Sequence, residues 1–367
     1  FSAHRSFLII DMGRNFKMEA FINNYLTSFP TIGLFIIIAV SIFTLSKGAD
    51  TLVNEAVSLS VRIGVPKLII GATIISLGTT LPEASVSVMA AINGNPDLAL
   101  GNAIGSIIAN TGLILGIAAL IGTLPVSPIV VKRHGKIKIG SGILLAGVTL
   151  PLFSSNTGII QQWMGWGFML LLIGYIYTSI KWTTQSSLDE TAATSSSKDI
   201  SAQTNITAEV SAEEHSLIIQ ILKLLFGIAV VIISSKILIP AVELSAVRIG
   251  IPQSIIAATL VAFGTSLPEL TTAVTAVKKG HGELAVGNIV GADILNILFV
   301  IGASASVTPE GLEVPVNFYK LQIPTMLILL ITFRFFSKKH NNNITKKEGI
   351  TLLGIYIIYI ILNFTWV

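Results

Sequence analysis

The sequence predicts an all-α polytopic membrane protein, with about ten transmembrane helices in two inverted five-helix repeats. Three observations predict this. The 367 residues are 52% apolar and only 11% charged, with a mean hydropathy of +0.80. Long apolar stretches recur along the whole chain, each near the roughly 20 residues a helix needs to cross a bilayer. One 49-residue segment occurs twice, without a gap.

Soluble domains carry about a quarter of their residues as charges. The depletion here excludes a soluble enzyme, a disordered protein and a nucleic-acid binder. The net charge of +4 does not restore the last of these, because the basic residues lie between apolar runs. In a membrane protein that pattern reports orientation. With no cysteine, disulfides, thiolate metal sites and thiol catalysis are excluded. The five histidines (His4, His134, His215, His281 and His340) read as residues of hydrophilic connections, which argues against a buried histidine metal cluster.

In chain order the predicted spans are 31–59, 66–92, 96–122, 136–154, 159–182, 216–246, 252–278, 283–306, 316–336 and 349–366. Residues 1–30 form an N-terminal extension. Its first 17 residues are too polar to span and lack a small-residue cleavage site, so they do not read as a signal peptide. Met18 is a candidate natural start. Residues 183–215 hold 13 Ser/Thr, six acidic residues and one lysine, without an apolar stripe. They read as a flexible linker between a first half, 31–182, and a second half, 216–367. The acidic residues there lack EF-hand spacing, so the linker reads as a tether.

Counting alternate connections with their flanking span ends, 16 Lys/Arg fall on the linker's side and five on the other. The positive-inside rule then places the linker in the cytoplasm and both termini outside. Lys132, Arg133, Lys136 and Lys138 are part of this count. Asp50 and Glu55, toward the cytoplasmic end of the first span, suit solvated or gating roles.

Residues 62–110 align with 248–296 at a constant offset of 186, with 23 identities in 49 positions. The copies cover spans two and three, and spans seven and eight. Five spans is an odd number, so the copies cross the membrane in opposite directions. Inverted repeats with a site at their interface characterise secondary transporters.

The shared residues are polar ones at mid-span. Gly78-Thr79-Thr80-Leu81-Pro82-Glu83 is matched by Gly264-Thr265-Ser266-Leu267-Pro268-Glu269. A charge at that depth costs a few kcal/mol on insertion scales and calls for a partner or a function. Proline removes a backbone N–H, and glycine lets the chain bend, so the motif is expected to break its helix and expose carbonyl oxygens. Thr79, Thr80 and Glu83 share a helix face through their three- and four-residue spacings. Hydroxyls, carboxylates and carbonyls are hard oxygen ligands, suited to Ca²⁺ or Na⁺ rather than Zn²⁺ or copper. Thr265, Ser266 and Glu269 supply the inverted counterpart.

The following span reads Gly101-Asn102-Ala103-Ile104-Gly105-Ser106 in one copy and Gly287-Asn288-Ile289-Val290-Gly291-Ala292 in the other. Glycines four apart make a flat packing stripe. Ser106 and Asn110 can face the broken helix. Asn110 and Asn296 are equivalent positions, and their amides also suit interhelical bonding. Asp293 has three readings: ion ligand, proton site, or partner for a backbone break.

These paired motifs resemble the α-repeats of the Ca²⁺:cation antiporter superfamily, and most resemble the prokaryotic Na⁺/Ca²⁺ exchangers. The resemblance covers roughly residues 31–366. It implies that Glu83 and Glu269 are the central ligands, with Thr79, Thr80, Thr265 and Ser266 adding oxygens. It implies that the carbonyls of Ser76 and Ala262 are freed, and that Ser106, Asn110 and Asn296 flank the site. It also implies that the first and sixth spans slide across the other eight. Three positions depart from the family pattern. Ala292 replaces a serine used as a Na⁺ ligand, Asn296 stands where relatives carry Asp, and Asp293 stands where many have Asn.

The expected function is secondary antiport of Na⁺ against Ca²⁺ in a prokaryotic plasma membrane. The expectation includes no enzyme activity, no cofactor and no nucleic-acid partner; the ions and the bilayer are the partners, and the oligomeric state is open. An H⁺/Ca²⁺ antiporter is the first alternative, with Asp293 as proton carrier. A passive cation channel and a non-transporting scaffold or sensor are weaker ones.

Overall fold

The structure, a computed structural model, describes residues 25–126, 133–150, 158–196, 216–250, 264–338 and 343–366. Helix α1 (Thr31–Arg62) is followed by α2 (Lys67–Ile92), α3 (Pro96–Ile121), α4 (Gly135–Thr149) and α5 (Gln162–Ser196). After the linker come α6 (Leu217–Arg248), α7 (Leu267–Lys278), α8 (Gly282–Ser306), α9 (Phe318–Lys338) and α10 (Lys346–Trp366). Among the described residues six of these, α1, α2, α3, α6, α8 and α9, are long and apolar enough to cross a membrane.

Local chemistry sets the ends. Pro96 opens α3, where a missing N–H is no loss, and the Asn95 side chain accepts from Leu98 N at 3.0 Å. Gly94 (φ +71°) closes α2 and its repeat equivalent Gly280 (φ +77°) closes α7. Both turns need the left-handed conformation that glycine adopts without strain. The sequence repeat is therefore also a repeat of turn geometry.

Two elements differ from expectation. Helix α5 runs on to Ser196, so the first part of the predicted linker, 183–196, is helical. Extending an existing helix adds a hydrogen bond per residue without a new nucleation step, and this needs no apolar stripe. Residues 197–215 lie outside the described residues. His134 is not in a hydrophilic connection but fully buried ahead of α4, with Nδ1 3.1 Å from the Tyr175 hydroxyl and its ring edge-on to Trp182.

Helices α1 and α6 pack antiparallel. Thr44 meets Ser234 at 2.9 Å, Ser58 meets Gln220 at 2.7 Å, and Arg248 donates to the carbonyls of Phe29 and Thr27 at 2.6 and 2.8 Å. Gly48 and Gly227 allow the approach: a Cβ on either would come within 2.9 Å of the facing helix. This pair lies at the periphery. The most apolar windows of α1 and α6 are 28% and 33% buried, against 94% for α8. Their outward faces carry Phe35, Ile36, Phe43, Leu222 and Phe226, which suits contact with lipid.

Helix α8 runs through the core, directly on α2. A Cβ on Gly287 would lie 2.2 Å from Leu68 O, and one on Gly291 2.4 Å from Ala72 O. Short antiparallel ribbons tie connections together. Strand β1 (Leu124–Pro125) pairs with β4 (Asn343–Ile344), and β2 (Gly158–Ile160) with β3 (Leu312–Val314).

Candidate ion-binding site

The two polar motifs meet in the centre of this core. Ser76, Thr79, Thr80 and Glu83 on α2 are buried, as are Ser266 and Glu269 at the start of α7. The motifs are not built alike. In the first copy the helix continues through Pro82. The expected break is absent there, because a proline removes a single donor, and neighbouring helices support the rest. The carbonyl that loses its donor is that of Gly78, four residues back. The Ser76 carbonyl instead accepts the Thr79 hydroxyl at 3.4 Å. In the second copy Thr265 and Ser266 form a turn and α7 starts at Leu267, with Pro268 in its first turn. Ala262 lies outside the described residues. The motif glycines serve close packing, since a Cβ on Gly78 would lie 2.7 Å from Ile228 and one on Gly264 3.0 Å from Ile239, both on α6.

The two copies interlock. Thr265 faces Glu83, and Thr79 faces Glu269, each hydroxyl opposite the other copy's carboxylate. Thr265 donates to Asn102 Oδ1 at 3.1 Å, and the Asn102 amide donates to the Glu83 carbonyl at 3.1 Å and to Ser87 at 2.9 Å. Ser266 meets Ser106 at 3.4 Å. The sequence reading assigned no role to Asn102. Its place in both copies of the repeat, beside two packing glycines, was the available signal.

Buried polar atoms nearly always find a partner. Here several do not: Thr80 Oγ1, Glu83 Oε2, both Glu269 carboxylate oxygens, Asn110 Oδ1 and Asn296 Oδ1. Such a cluster of hard, unpartnered oxygens matches the donor set of Ca²⁺ or Na⁺. Asn110 and Asn296 sit in equivalent π-turns, Ala109–Ile114 and Asn296–Ile301. Such turns are frequent at functional sites. A cavity of about 320 Å³ lies between α1 and α7. It is lined by Ser46, Asp50, Leu270 and Thr271 and reaches the Lys279–Asp50 ion pair of 3.1 Å. Its α7 wall starts at Leu270, the residue after Glu269 in the chain.

One residue moves from its expected place. Lys138, counted among the basic residues of a connection, is wholly buried. Its Nζ lies 2.7 Å from Asp293 Oδ2 and 3.0 Å from Thr111 Oγ1, and Thr111 donates to the same Asp293 oxygen at 2.6 Å. A lysine one turn inside a helix normally extends toward water. This one points inward because a buried carboxylate awaits it.

The profile described as sodium/calcium exchanger protein matches residues 33–181 and 219–365. The chain belongs to the sodium/calcium exchanger family. Inner membrane protein YrbG of Escherichia coli (strain K12) is 30% identical over 327 residues, covering 88% of this chain and 94% of that protein. The sodium/calcium exchanger MaX1 of Methanosarcina acetivorans is 29% identical over 354 residues, covering 90% and 98%. Among solved structures, the sodium-calcium exchanger NCX_Mj superposes with a TM-score of 0.71 at 25% identity, covering 90% of this chain and 98% of that one. As a member of this family the chain is an integral membrane protein of the antiporter class, concerned with calcium and sodium transport.

Proposed function

We propose that this exchanger moves Na⁺ inward and Ca²⁺ outward by alternating access, with the ions competing for overlapping sites between Glu83 and Glu269. The observation that carries this reading is the pair of buried carboxylates, one from each copy, with three of their four oxygens unpartnered. Thr79, Thr80, Thr265 and Ser266 add hydroxyl or carbonyl oxygens. Ser106, Asn110 and Asn296 flank them, and the Ala262 carbonyl remains a candidate ligand. Two carboxylates balance one Ca²⁺. Uncompensated, they are costly to occlude at this depth, which favours rearrangement of loaded states. An H⁺-coupled exchanger using Asp293 is less supported, since that carboxylate is bonded to Lys138.

The chain is read as ten spans in two inverted halves, 31–182 and 216–367, with the linker cytoplasmic and both termini outside. The antiparallel α1–α6 pair supports the inversion. Contacts at and near the helix ends support the alternation of sides: Lys67 with Glu283 at 3.8 Å and Lys279 with Asp50 of α1 toward one surface, Arg248 with Phe29 at the other.

The test is ⁴⁵Ca²⁺ uptake into proteoliposomes preloaded with Na⁺, against a K⁺-loaded control at fixed pH. Uptake that requires the Na⁺ gradient supports the reading. Uptake that ignores Na⁺ and follows an imposed pH gradient replaces Na⁺ by H⁺. Flux without any counter-ion would make the protein a channel.

A further inference from the structure

We infer that Lys138 is a built-in cation of the transport site, which cancels the charge of Asp293 and limits the exchange to two monovalent cations per Ca²⁺, with no net charge moved. This deepens the exchanger reading and rests on it.

Four ionisable groups share the buried centre. Glu83, Glu269, Asp293 and Lys138 are all at most 1% exposed. Asp293 stands three residues before the flanking Asn296 on α8 and is bonded to Thr111, the residue after Asn110 on α3, and it acts electrostatically on Glu269, so the pair adjoins the central carboxylates. Three carboxylates without a lysine would carry three negative charges, matched by three monovalent ions. The ammonium at 2.7 Å removes one of them. The remaining two charges are balanced by one Ca²⁺ or by two monovalent cations. Both loads then leave the site neutral, which spares the cost of net charge in a low-dielectric interior.

The ammonium is held as a bound cation would be. Asp293 Oδ2 and Thr111 Oγ1 supply two oxygen contacts, and the Phe333 ring faces it at 4.2 Å from its centroid. Asn110 lies beside the same carboxylate. The surroundings come from α3, α8 and α9, while Lys138 is delivered by α4. The repeat itself records a matching loss. Ser106 of the first copy is a hydroxyl at the site, and its equivalent in the second copy is the buried Ala292, next to Asp293. The side that gained an ammonium has lost an oxygen ligand.

The experiment measures ⁴⁵Ca²⁺ flux in proteoliposomes with the Ca²⁺ gradient fixed, the Na⁺ gradient varied and the membrane potential set by K⁺ and valinomycin. The Na⁺ gradient at which net Ca²⁺ flux stops gives the coupling ratio. Wild type should stop at the gradient for two Na⁺ per Ca²⁺, unchanged by voltage. One uncompensated charge would instead shift the balancing Ca²⁺ ratio about 50-fold per 100 mV. In Lys138→Met the freed Asp293 should bind a further cation, so the balance point becomes voltage-dependent. Lys138→Met with Asp293→Asn should restore the voltage-independent balance. This neutral pair keeps the test open if the single variant does not fold. A voltage-dependent balance point in wild type, or the same balance point in the single and double variants, overturns the inference. If a pH gradient alone drives Ca²⁺, the Na⁺ reading fails on its own, and the count of two monovalent cations is read with H⁺ in place of Na⁺.

Discussion

Thr265 of the second motif donates a 3.1 Å hydrogen bond to Asn102 of the first copy, whose amide in turn holds the Glu83 backbone carbonyl. One side chain thus couples the position of the first central carboxylate to the turn that opens α7. The equivalent residue, Asn288, is buried with neither amide atom bonded. The site is braced from one copy only, although the sequence is repeated.

Replacing Asn102 by Ala should loosen both motifs at once. It leaves the Glu83 carbonyl without this donor and removes the Thr265 acceptor, with an expected stability loss of about 1–3 kcal/mol. The apparent affinity for Ca²⁺ should fall more than the insertion yield. Thermal melting in detergent, alongside the Ca²⁺ dependence of exchange, checks this. An unchanged affinity would make the bridge structural only.

Glu269→Gln should abolish Ca²⁺ transport while the protein still folds and inserts. The two unpartnered oxygens of Glu269 make it a ligand in waiting rather than a bonded core residue. Losing a charged ligand corresponds to about 3 kcal/mol, or about 100-fold. Near-normal exchange in correctly inserted protein would sink the assignment of the central site.

Gly287→Ala should be strongly destabilising. The added Cβ would lie 2.2 Å from the Leu68 carbonyl oxygen, a backbone atom that cannot move aside alone. Gly147→Ala, at a position where a Cβ meets nothing within 4 Å among the described residues, is the control. Overpacking typically costs about 1–3 kcal/mol. Comparable melting temperatures for the two variants would show that α2 and α8 are not in tight contact.

His134 should stay neutral at physiological pH. Burial, with Arg133 adding to it, pushes its imidazole down to about 4. The unfolded chain takes up a proton near pH 6.5 and the folded one does not. Stability should therefore fall as pH drops from about 6.5 toward 4. Melting curves of wild type and His134→Gln over that range read this out, and identical pH slopes would contradict it.

The apolar helices and the meeting of the two polar motifs were legible because hydropathy and repetition are one-dimensional signals. Glu83, Thr79, Thr265 and Glu269 announced themselves as polar residues at matching depths. Asn102 was less visible, since an amide beside packing glycines looks like ordinary glue. Lys138 was misread for a physical reason. A lysine one turn into a helix has a stem long enough to point toward water or toward the core, and only the position of Asp293 decides between them. The intact helix at Pro82 was likewise out of reach, because neighbours decide whether a lost hydrogen bond becomes a break.

The most direct measurement is ⁴⁵Ca²⁺ binding to the purified protein, titrated with Na⁺, in wild type and Glu269→Gln. Competition at a shared site predicts one Ca²⁺ per chain, displaced completely by Na⁺, and no specific binding in the variant. Ca²⁺ binding that Na⁺ does not displace, or that persists in the folded variant, would contradict a shared site between Glu83 and Glu269.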